Sequence, residues 1–200
     1  MPDQRFGSAA LSSPAPVYRI IPARPQDVQP LPAIELAAAR LFVGHASETV
    51  LTQTTSQEDH EEAQRHGLLW AALFDDAPVG FAHVDLLEPG SAHLEELDVH
   101  PDHGRRGLGT RLVMVVCQWA ASEGFLTVTL TTYRDVSWNM PFYARLGFEE
   151  IPPADISPAL VSRMEDEARR GVDPAKRVAM QRRCAVPDQS NSAIRSETRR

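Results

Sequence analysis

The sequence predicts an α/β (α+β) fold in which helices flank a mixed, largely antiparallel sheet. Strand-like segments at 68–74, 79–87 and 93–100 follow one another across short turns, which predicts an antiparallel meander. A glycine-rich turn, a helix at 108–122 and an apolar, β-branched strand at 126–131 come next. Because a strand–helix–strand crossover places its two strands parallel, we expect one parallel pair in this sheet.

The remaining segments add strands and helices on both sides of this centre. An alternating strand is expected at 17–21, a helix with apolar residues at helical spacing at 31–42, and a polar helix at 58–66. Further elements are predicted as a short helix at 139–146, a short strand at 148–151, an amphipathic helix at 157–170 and a last strand at 175–184.

The length and composition predict one globular domain with two tails. The chain has 200 residues, of which 42% are hydrophobic, enough for a single core. Residues 1–16 are rich in Ser, Ala and Pro, and residues 185–200 are polar, so both are predicted to be flexible. The domain is expected to occupy 17–184.

The charge and the termini exclude several classes of protein. A formal net charge of −7 disfavours a general role in nucleic-acid binding, which usually needs a basic face. The first residues lack the pattern of a secretory signal, and no segment has the ~18 consecutive apolar residues of a membrane helix. We therefore expect a cytoplasmic protein without a membrane partner; a homodimer is compatible with the sequence but has no specific signal.

The turn from His103 to Thr110 is the first candidate site. A strand followed by a glycine turn and a helix suits an anion, because the first helical N–H groups are free and the helix dipole is positive there. Gly107 and Gly109 allow close approach to the backbone, and Arg105 adds positive charge. The alternative is an ordinary helix start whose glycines serve only the turn. No Lys-Ser/Thr pair follows, so this is not a Walker loop.

The segment LEELDVHPDHGRRGLG at 94–109 resembles the coenzyme-binding segment of the GNAT superfamily of N-acetyltransferases, whose pattern is Q/R-x-x-G-x-G/A. Gly104 stands where Gln or Arg is usual, so the anion contact is expected to rest on backbone amides. The resemblance extends over 17–184 and implies a sheet whose parallel strands splay apart, with an acyl thioester of CoA in the gap. No metal is expected.

The resemblance also implies which residues hold acetyl-CoA, the expected co-substrate. The strand backbone, chiefly at Leu97 and Val99, is expected to pair with the pantetheine arm. The pyrophosphate is expected on the turn formed by Arg105, Arg106, Gly107, Leu108, Gly109 and Thr110.

A second segment, SWNMPFYARLGF at 137–148, resembles the superfamily pattern N-x-x-x-x-Y-x-x-x-G-F. Asn139 and Tyr143 are four residues apart and share one helix face. Asn139 is expected to bond to pantetheine or to cap the helix. Tyr143 is expected to protonate or stabilise the leaving thiolate, with a core tyrosine as the alternative.

Carboxylates on the strand 93–100 are candidates for removing the proton of an incoming ammonium group. Glu95 is the first choice as general base and Glu96 the second, as base or as an anion that binds the amine. The alternatives are that both glutamates are solvated or ion-paired, or that water relays the proton. Strict alternation places His93, Glu95 and Leu97 on one face, unless a bulge shifts the parity.

The sequence therefore predicts an acyl-CoA-dependent N-acyltransferase that moves an acetyl group to a primary amine by direct attack in a ternary complex. The acceptor is left open among small amines, amino acids, aminoglycosides and protein amines. Phe42, Phe81 and Trp138 are candidate lining residues of an acceptor pocket, or core residues. The alternative function is a non-catalytic sensor that binds acyl-CoA and does not need Tyr143.

Overall fold

The computed structural model describes residues 17–184, which form one seven-stranded mixed sheet with helices on both faces. The tails predicted at 1–16 and 185–200 lie outside the described residues. The strands are β1 (Tyr18–Pro22), β2 (Leu69–Phe74), β3 (Ala77–Glu88), β4 (Ser91–Val99), β5 (Thr127–Tyr133), β6 (Glu149–Glu150) and β7 (Arg177–Arg183). Their order across the sheet is β1-β2-β3-β4-β5-β7-β6, and all the predicted strands are present.

Seven α-helices surround the sheet. They are α1 (Pro25–Val28), α2 (Leu31–Ala39), α3 (Glu48–Thr52), α4 (Gln57–Arg65), α5 (Leu108–Ser122), α6 (Asn139–Arg145) and α7 (Pro158–Arg169). The predicted bounds of α5 are confirmed, whereas the short helices α1 and α3 were not predicted. Within residues 17–184, no helix is long and apolar enough to cross a membrane.

The antiparallel meander is confirmed, and its first turn follows from two aspartates. Asp75 and Asp76 have φ values of 47° and 72°. Positive φ at both central residues matches the twist of the flanking strands in a two-residue hairpin, and aspartate tolerates that conformation better than most side chains. The turn therefore sets β2 directly against β3.

The predicted parallel pair is β4 with β5, and its ladder is short. Only Ser91, Ala92 and His93 pair with β5, opposite Thr127 to Thr129. Strand β4 continues to Val99 and β5 to Tyr133 without further pairing. The two strands therefore separate beyond His93 and leave a gap inside the sheet.

Two cores lie on opposite faces of the sheet. Helix α5 contributes Leu112, Val113 and Val116, which are fully buried against one face. Helices α2 and α4 cover the other face, where Leu31 and Phe81 belong to a second buried cluster. Since directly opposed residues of antiparallel strands point to the same face, Asp98, which pairs with Phe81, points toward this second face.

Strand β4 departs from strict alternation at Glu95. On β3, the neighbours His83 and Val84 pair with Glu96 and Leu94, which leaves Glu95 without a partner. This is a β-bulge, and it reverses the parity of the following residues. The expectation from strict alternation that Leu97 shares a face with His93 was wrong: Leu97 packs with Leu94 against the α5 core, and Glu96 points the other way.

Candidate active site

The gap between β4 and β5 opens into a cavity of about 1030 Å³. Its walls come from α2, β4, the glycine turn, the end of β5 and α6. Predicted site residues that line it are Glu95, Glu96, Leu97, Val99, Arg105, Gly107, Leu108, Gly109, Thr110, Asn139 and Tyr143. Arg106 is not among the lining residues. The fold thus gathers two motifs that lie about 30 residues apart in the chain.

The glycine turn has the backbone geometry of a binding loop. Gly107 precedes α5 with φ 76° and ψ 10°, a left-handed conformation that glycine adopts without strain. A side chain at Gly107 would meet no atom within 4 Å, so open space lies in front of the turn. The first amides of α5 have no helical acceptor and stay available to an anion.

Tyr18 anchors this turn, a role that no motif in the sequence indicates. Its hydroxyl hydrogen-bonds to Nδ1 of His103 at 3.0 Å, and its ring packs on Phe74. The guanidinium of Arg106 lies 5.8 Å from the centre of the same ring. The loop from His103 to Arg106 is therefore held against β1 and β2.

The edge of β4 that faces the gap offers unpaired backbone groups. Pairing with β5 ends at His93, so the backbone from Leu94 to Val99 has no strand partner on that side. Leu97 and Val99 lie on this edge and line the cavity. An extended chain placed in the gap would meet strand donors and acceptors here.

Helix α6 brings Asn139 and Tyr143 to the cavity. Asn139 is the first residue of the helix and is buried, while Trp138 occupies the N-cap position. Asn139 therefore does not cap the helix, and it is one of the residues that line the cavity. Tyr143 packs edge-on between Phe142 and Phe148. Burial, and then the nearby carboxylates of Glu96 and Asp98, raise the pKa of the Tyr143 phenol, which keeps it protonated.

Glu95 is held in an ion pair with α7. Arg163 donates from Nη1 to Oε1 of Glu95 at 2.8 Å and also contacts Asp85. Nε2 of His93 lies 3.5 Å from Oε2 of Glu95, and Arg170 is 3.8 Å away. Burial raises the pKa of Glu95, while the Arg163 guanidinium opposes that rise. Glu95 is therefore ion-paired, which is one of the alternatives that the sequence left open for it.

Glu96 and Asp98 form a carboxyl pair, and Glu35 of α2 lies near both of them. Burial is the largest cause that raises the pKa of both groups well above their ordinary values. The charge of Asp98 further raises the pKa of Glu96, and the charge of Glu35 raises the pKa of both, while a hydrogen bond with Glu96 opposes the rise at Asp98. Glu35 accepts hydrogen bonds from the backbone amide of Thr55 at 3.0 and 3.1 Å. From the sequence, Asp98 was one of the polar groups on this strand but was not chosen as a site residue, and Glu35 was not considered.

Aromatic side chains form one wall of the cavity. Phe42 and Trp138 lie with ring centres 4.9 Å apart, and Phe42 also contacts Tyr133. All three line the cavity, so Phe42 and Trp138 are lining residues rather than core residues, and their role toward an acceptor stays a prediction. Phe81 is fully buried in the second core, so the core alternative holds for it.

A second ion pair joins the far side of the cavity to α7. Arg177 of β7 donates from Nε to Glu167 at 2.8 Å, and Glu167 also accepts from the hydroxyl of Thr131. Burial opposes ionisation of Glu167, but Arg177 lowers its pKa overall. Across residues 17–184, no cluster of three His, Cys, Asp or Glu side chains is placed to hold a metal ion.

The fold and the site together are those of an acetyltransferase domain. Residues 35–148 match the model of the acetyltransferase (GNAT) family, and the chain belongs to this family.

Solved structures with the same fold include N-acetyltransferases and proteins determined with CoA. The PaiA N-acetyltransferase of Thermoplasma acidophilum, in complex with coenzyme A, is 17% identical with a TM-score of 0.66, covering 84% of this chain and 99% of its own. The ribosomal-protein-S18-alanine N-acetyltransferase of Escherichia coli is 19% identical with a TM-score of 0.61, covering 87% and 98%. Rv2747 of Mycobacterium tuberculosis, also with CoA, is 19% identical with a TM-score of 0.60, covering 84% and 99%. At these identities the likeness concerns the fold.

Proposed function

We propose that the protein is an N-acetyltransferase that moves an acetyl group from acetyl-CoA to a primary amine. The observation that carries this proposal is the gap beyond His93, where the free edge of β4 leads directly to the free amides at the start of α5. An extended arm that ends in a pyrophosphate fits both features at once. Acetyl-CoA has this shape, with a thioester at the other end of its arm.

The coenzyme is expected to follow the walls of the gap. Its pyrophosphate lies on the amides from Arg105 to Thr110, where Gly107 leaves the approach open. Its pantetheine arm pairs with the β4 backbone at Leu97 and Val99, and the Asn139 amide is available on the opposite wall. Arg106, directed toward Tyr18, contributes charge near the turn rather than a wall of the cavity.

The reaction we propose is direct attack on the thioester. An ammonium group enters the cavity and gives one proton to a carboxylate or to water, because only the free amine is nucleophilic. The nitrogen then forms a bond to the acetyl carbon, and the carbon–sulfur bond breaks. The sulfur leaves as a thiolate, which takes a proton from the phenol of Tyr143. The nitrogen releases its second proton to solvent as it becomes an amide, and the Tyr143 phenolate recovers a proton from solvent. The products are the acetylated amine and free CoA.

Two glutamates remain candidates for the proton acceptor. Glu96 belongs to the carboxyl pair that it forms with Asp98. Its raised pKa makes it a stronger base than an ordinary glutamate. Glu95, the first choice from the sequence, is engaged by Arg163, which lowers its basicity. We propose Glu96 as the base and Glu95 as the residue that fixes α7 beside the gap.

The competing function is a non-catalytic sensor that binds acyl-CoA and transfers nothing. Both functions predict coenzyme binding, so turnover separates them. We expect purified protein with acetyl-CoA and a panel of primary amines to release thiol faster than buffer does, and mass spectrometry to find the acetyl group on nitrogen. Binding of acetyl-CoA without thiol release for every amine would favour the sensor.

A further inference from the structure

Three carboxyl groups lie on the acceptor side of the cavity, and none of them forms an ion pair with a lysine or arginine of residues 17–184, although the charge of Arg177 acts on Glu96 from further away. Glu35 of α2 and Glu96 and Asp98 of β4 all line the cavity. In the described part of the chain, no lysine or arginine lies within 4.0 Å of any of the three; Glu35 has only His60 Nε2, at 3.7 Å. Asp98 is 8% exposed, and its Oδ2 has no hydrogen-bond partner. A buried carboxylate oxygen without a partner is costly, and a ligand that brings positive charge would remove that cost.

The other carboxylates that line the cavity are already paired. Glu95 is bound by Arg163 and Glu167 by Arg177. Arg163 and Arg177 therefore form ion pairs with Glu95 and Glu167, and with none of the three carboxyl groups of the cluster. The uncompensated charge is confined to the end of the cavity between α2 and β4.

The wall beside this cluster suits a cation on an aliphatic chain. Phe42 and Trp138 present ring surfaces to the cavity, and Trp138 is 44% exposed at its mouth. Ring faces attract ammonium groups and pack against methylene groups. A charged, flexible amine would find both kinds of contact here.

The number of charges points to two cations rather than one. Even if one proton were bound between Glu96 and Asp98, whose pKa values are raised, the three carboxyls would carry about two negative charges. A single ammonium would leave one of these unbalanced. It would also lose its charge when it becomes an amide, whereas a second ammonium keeps its charge through the reaction.

We propose, building on the acetyl transfer proposed above, that the acceptor is an aliphatic diamine whose reacting amine lies beside Glu96 and whose second ammonium is held by Glu35 and Asp98. Glu35 is then a specificity-determining residue. Its contribution is to select the doubly charged acceptor, and the chemistry at the thioester does not involve it.

Three acceptors with the same four-carbon chain test this inference on the unmodified protein. They are 1,4-diaminobutane, n-butylamine and 4-aminobutanoate, with charges of +2, +1 and zero. We expect kcat/KM for the diamine to exceed that of n-butylamine by at least about tenfold, which corresponds to about 1.4 kcal/mol, and 4-aminobutanoate to be the poorest acceptor. Values for the diamine and n-butylamine within about twofold, or a preference for 4-aminobutanoate, would overturn the inference while leaving acetyl transfer in place.

A charge-removing variant locates the second ammonium. In Glu35→Gln, the ratio of kcat/KM between the diamine and n-butylamine should fall to within about threefold of unity. Glu58→Gln is the matched control, because Glu58 is exposed on α4 and does not line the cavity, so its ratio should equal that of the unmodified protein. A Glu35→Gln ratio that stays high would remove Glu35 from the proposal. If acetyl-CoA itself fails to bind, the proposed function fails; if it binds and none of the three amines reacts, the diamine inference is overturned.

Discussion

His93 and Thr129 are the last pair of the parallel ladder between β4 and β5, and their side chains are joined by a hydrogen bond of 3.0 Å between Nδ1 and Oγ1. Past this pair the strands separate. This buried hydrogen bond therefore lies at the point where the gap begins. The shape of the cavity therefore depends on a hydrogen bond of the His93 side chain, which must stay uncharged.

Burial lowers the pKa of His93 from 6.5 to about 4, and this makes stability depend on pH. Between these values the unfolded chain binds a proton that the folded chain excludes, so stability is lost as pH falls from 6.5 toward 4. For this residue the loss from pH 6.5 to 5 should be about 1.6 kcal/mol. Urea unfolding of the protein and of His93→Gln at both pH values measures it as the difference between their pH dependences. If the stability of the two proteins depends equally on pH, His93 does not take up a proton on unfolding between pH 6.5 and 5.

Replacing Tyr143 with phenylalanine tests its role as the acid. Because the phenol is held protonated beside the gap, Tyr143→Phe should lower kcat by about 100-fold with little change in the Kd for acetyl-CoA. Tyr18→Phe is the comparison. Its hydroxyl holds His103 of the glycine turn, so it should weaken coenzyme binding and spare kcat. Unchanged turnover in Tyr143→Phe would take this residue out of the mechanism.

Two glycines with the same backbone conformation separate stability from binding. Gly107 and Gly124 flank α5 with φ of 76° and 83°, and neither has an atom within 4 Å of an added methyl group. Alanine at either position should lower the free energy of unfolding by about 1–2 kcal/mol. Only Gly107→Ala should also weaken acetyl-CoA binding, by about tenfold, since only Gly107 lines the cavity. Equal binding by both variants in calorimetry would argue against a pyrophosphate on this turn.

The pH dependence of kcat/KM distinguishes the two candidate bases. A base must be deprotonated, and the pKa of Glu96 is raised, so activity should fall with decreasing pH at values above the ordinary 4.5 of glutamate. Glu96→Gln should lower kcat/KM by about 100-fold and remove this acid limb. Glu95→Gln should keep the limb and lower stability, because it leaves Arg163 without one of its partners. The opposite pattern would restore Glu95 as the base.

Much of the fold follows from local sequence patterns. Glycines, prolines and apolar periodicity placed every strand, and the bounds of α5 match because Gly107 and Gly124 flank it. The crossover through α5 required the parallel pair. Helices α1 and α3 were not predicted, since segments of four and five residues carry too little periodicity to be recognised.

The sequence predicted only those parts of the site that lie within a single helix, strand or turn. The glycine turn and the face shared by Asn139 and Tyr143 depend on spacing within one element. Glu35 and Glu96 are 61 positions apart in the sequence and line the same cavity, and their proximity depends on how α2 packs against the sheet. The bulge at Glu95 likewise arises from pairing with β3, which decides that Glu96 rather than Leu97 turns toward the acceptor side.

Hydrogen–deuterium exchange with and without acetyl-CoA tests most directly whether the coenzyme occupies the gap. We expect slower exchange in peptides that cover 94–99 and 105–110, where the free β4 edge and the first amides of α5 would gain acceptors. The segment 69–88 on β2 and β3 is already paired and should not change. Binding of acetyl-CoA without protection at 94–99 and 105–110 would contradict the account.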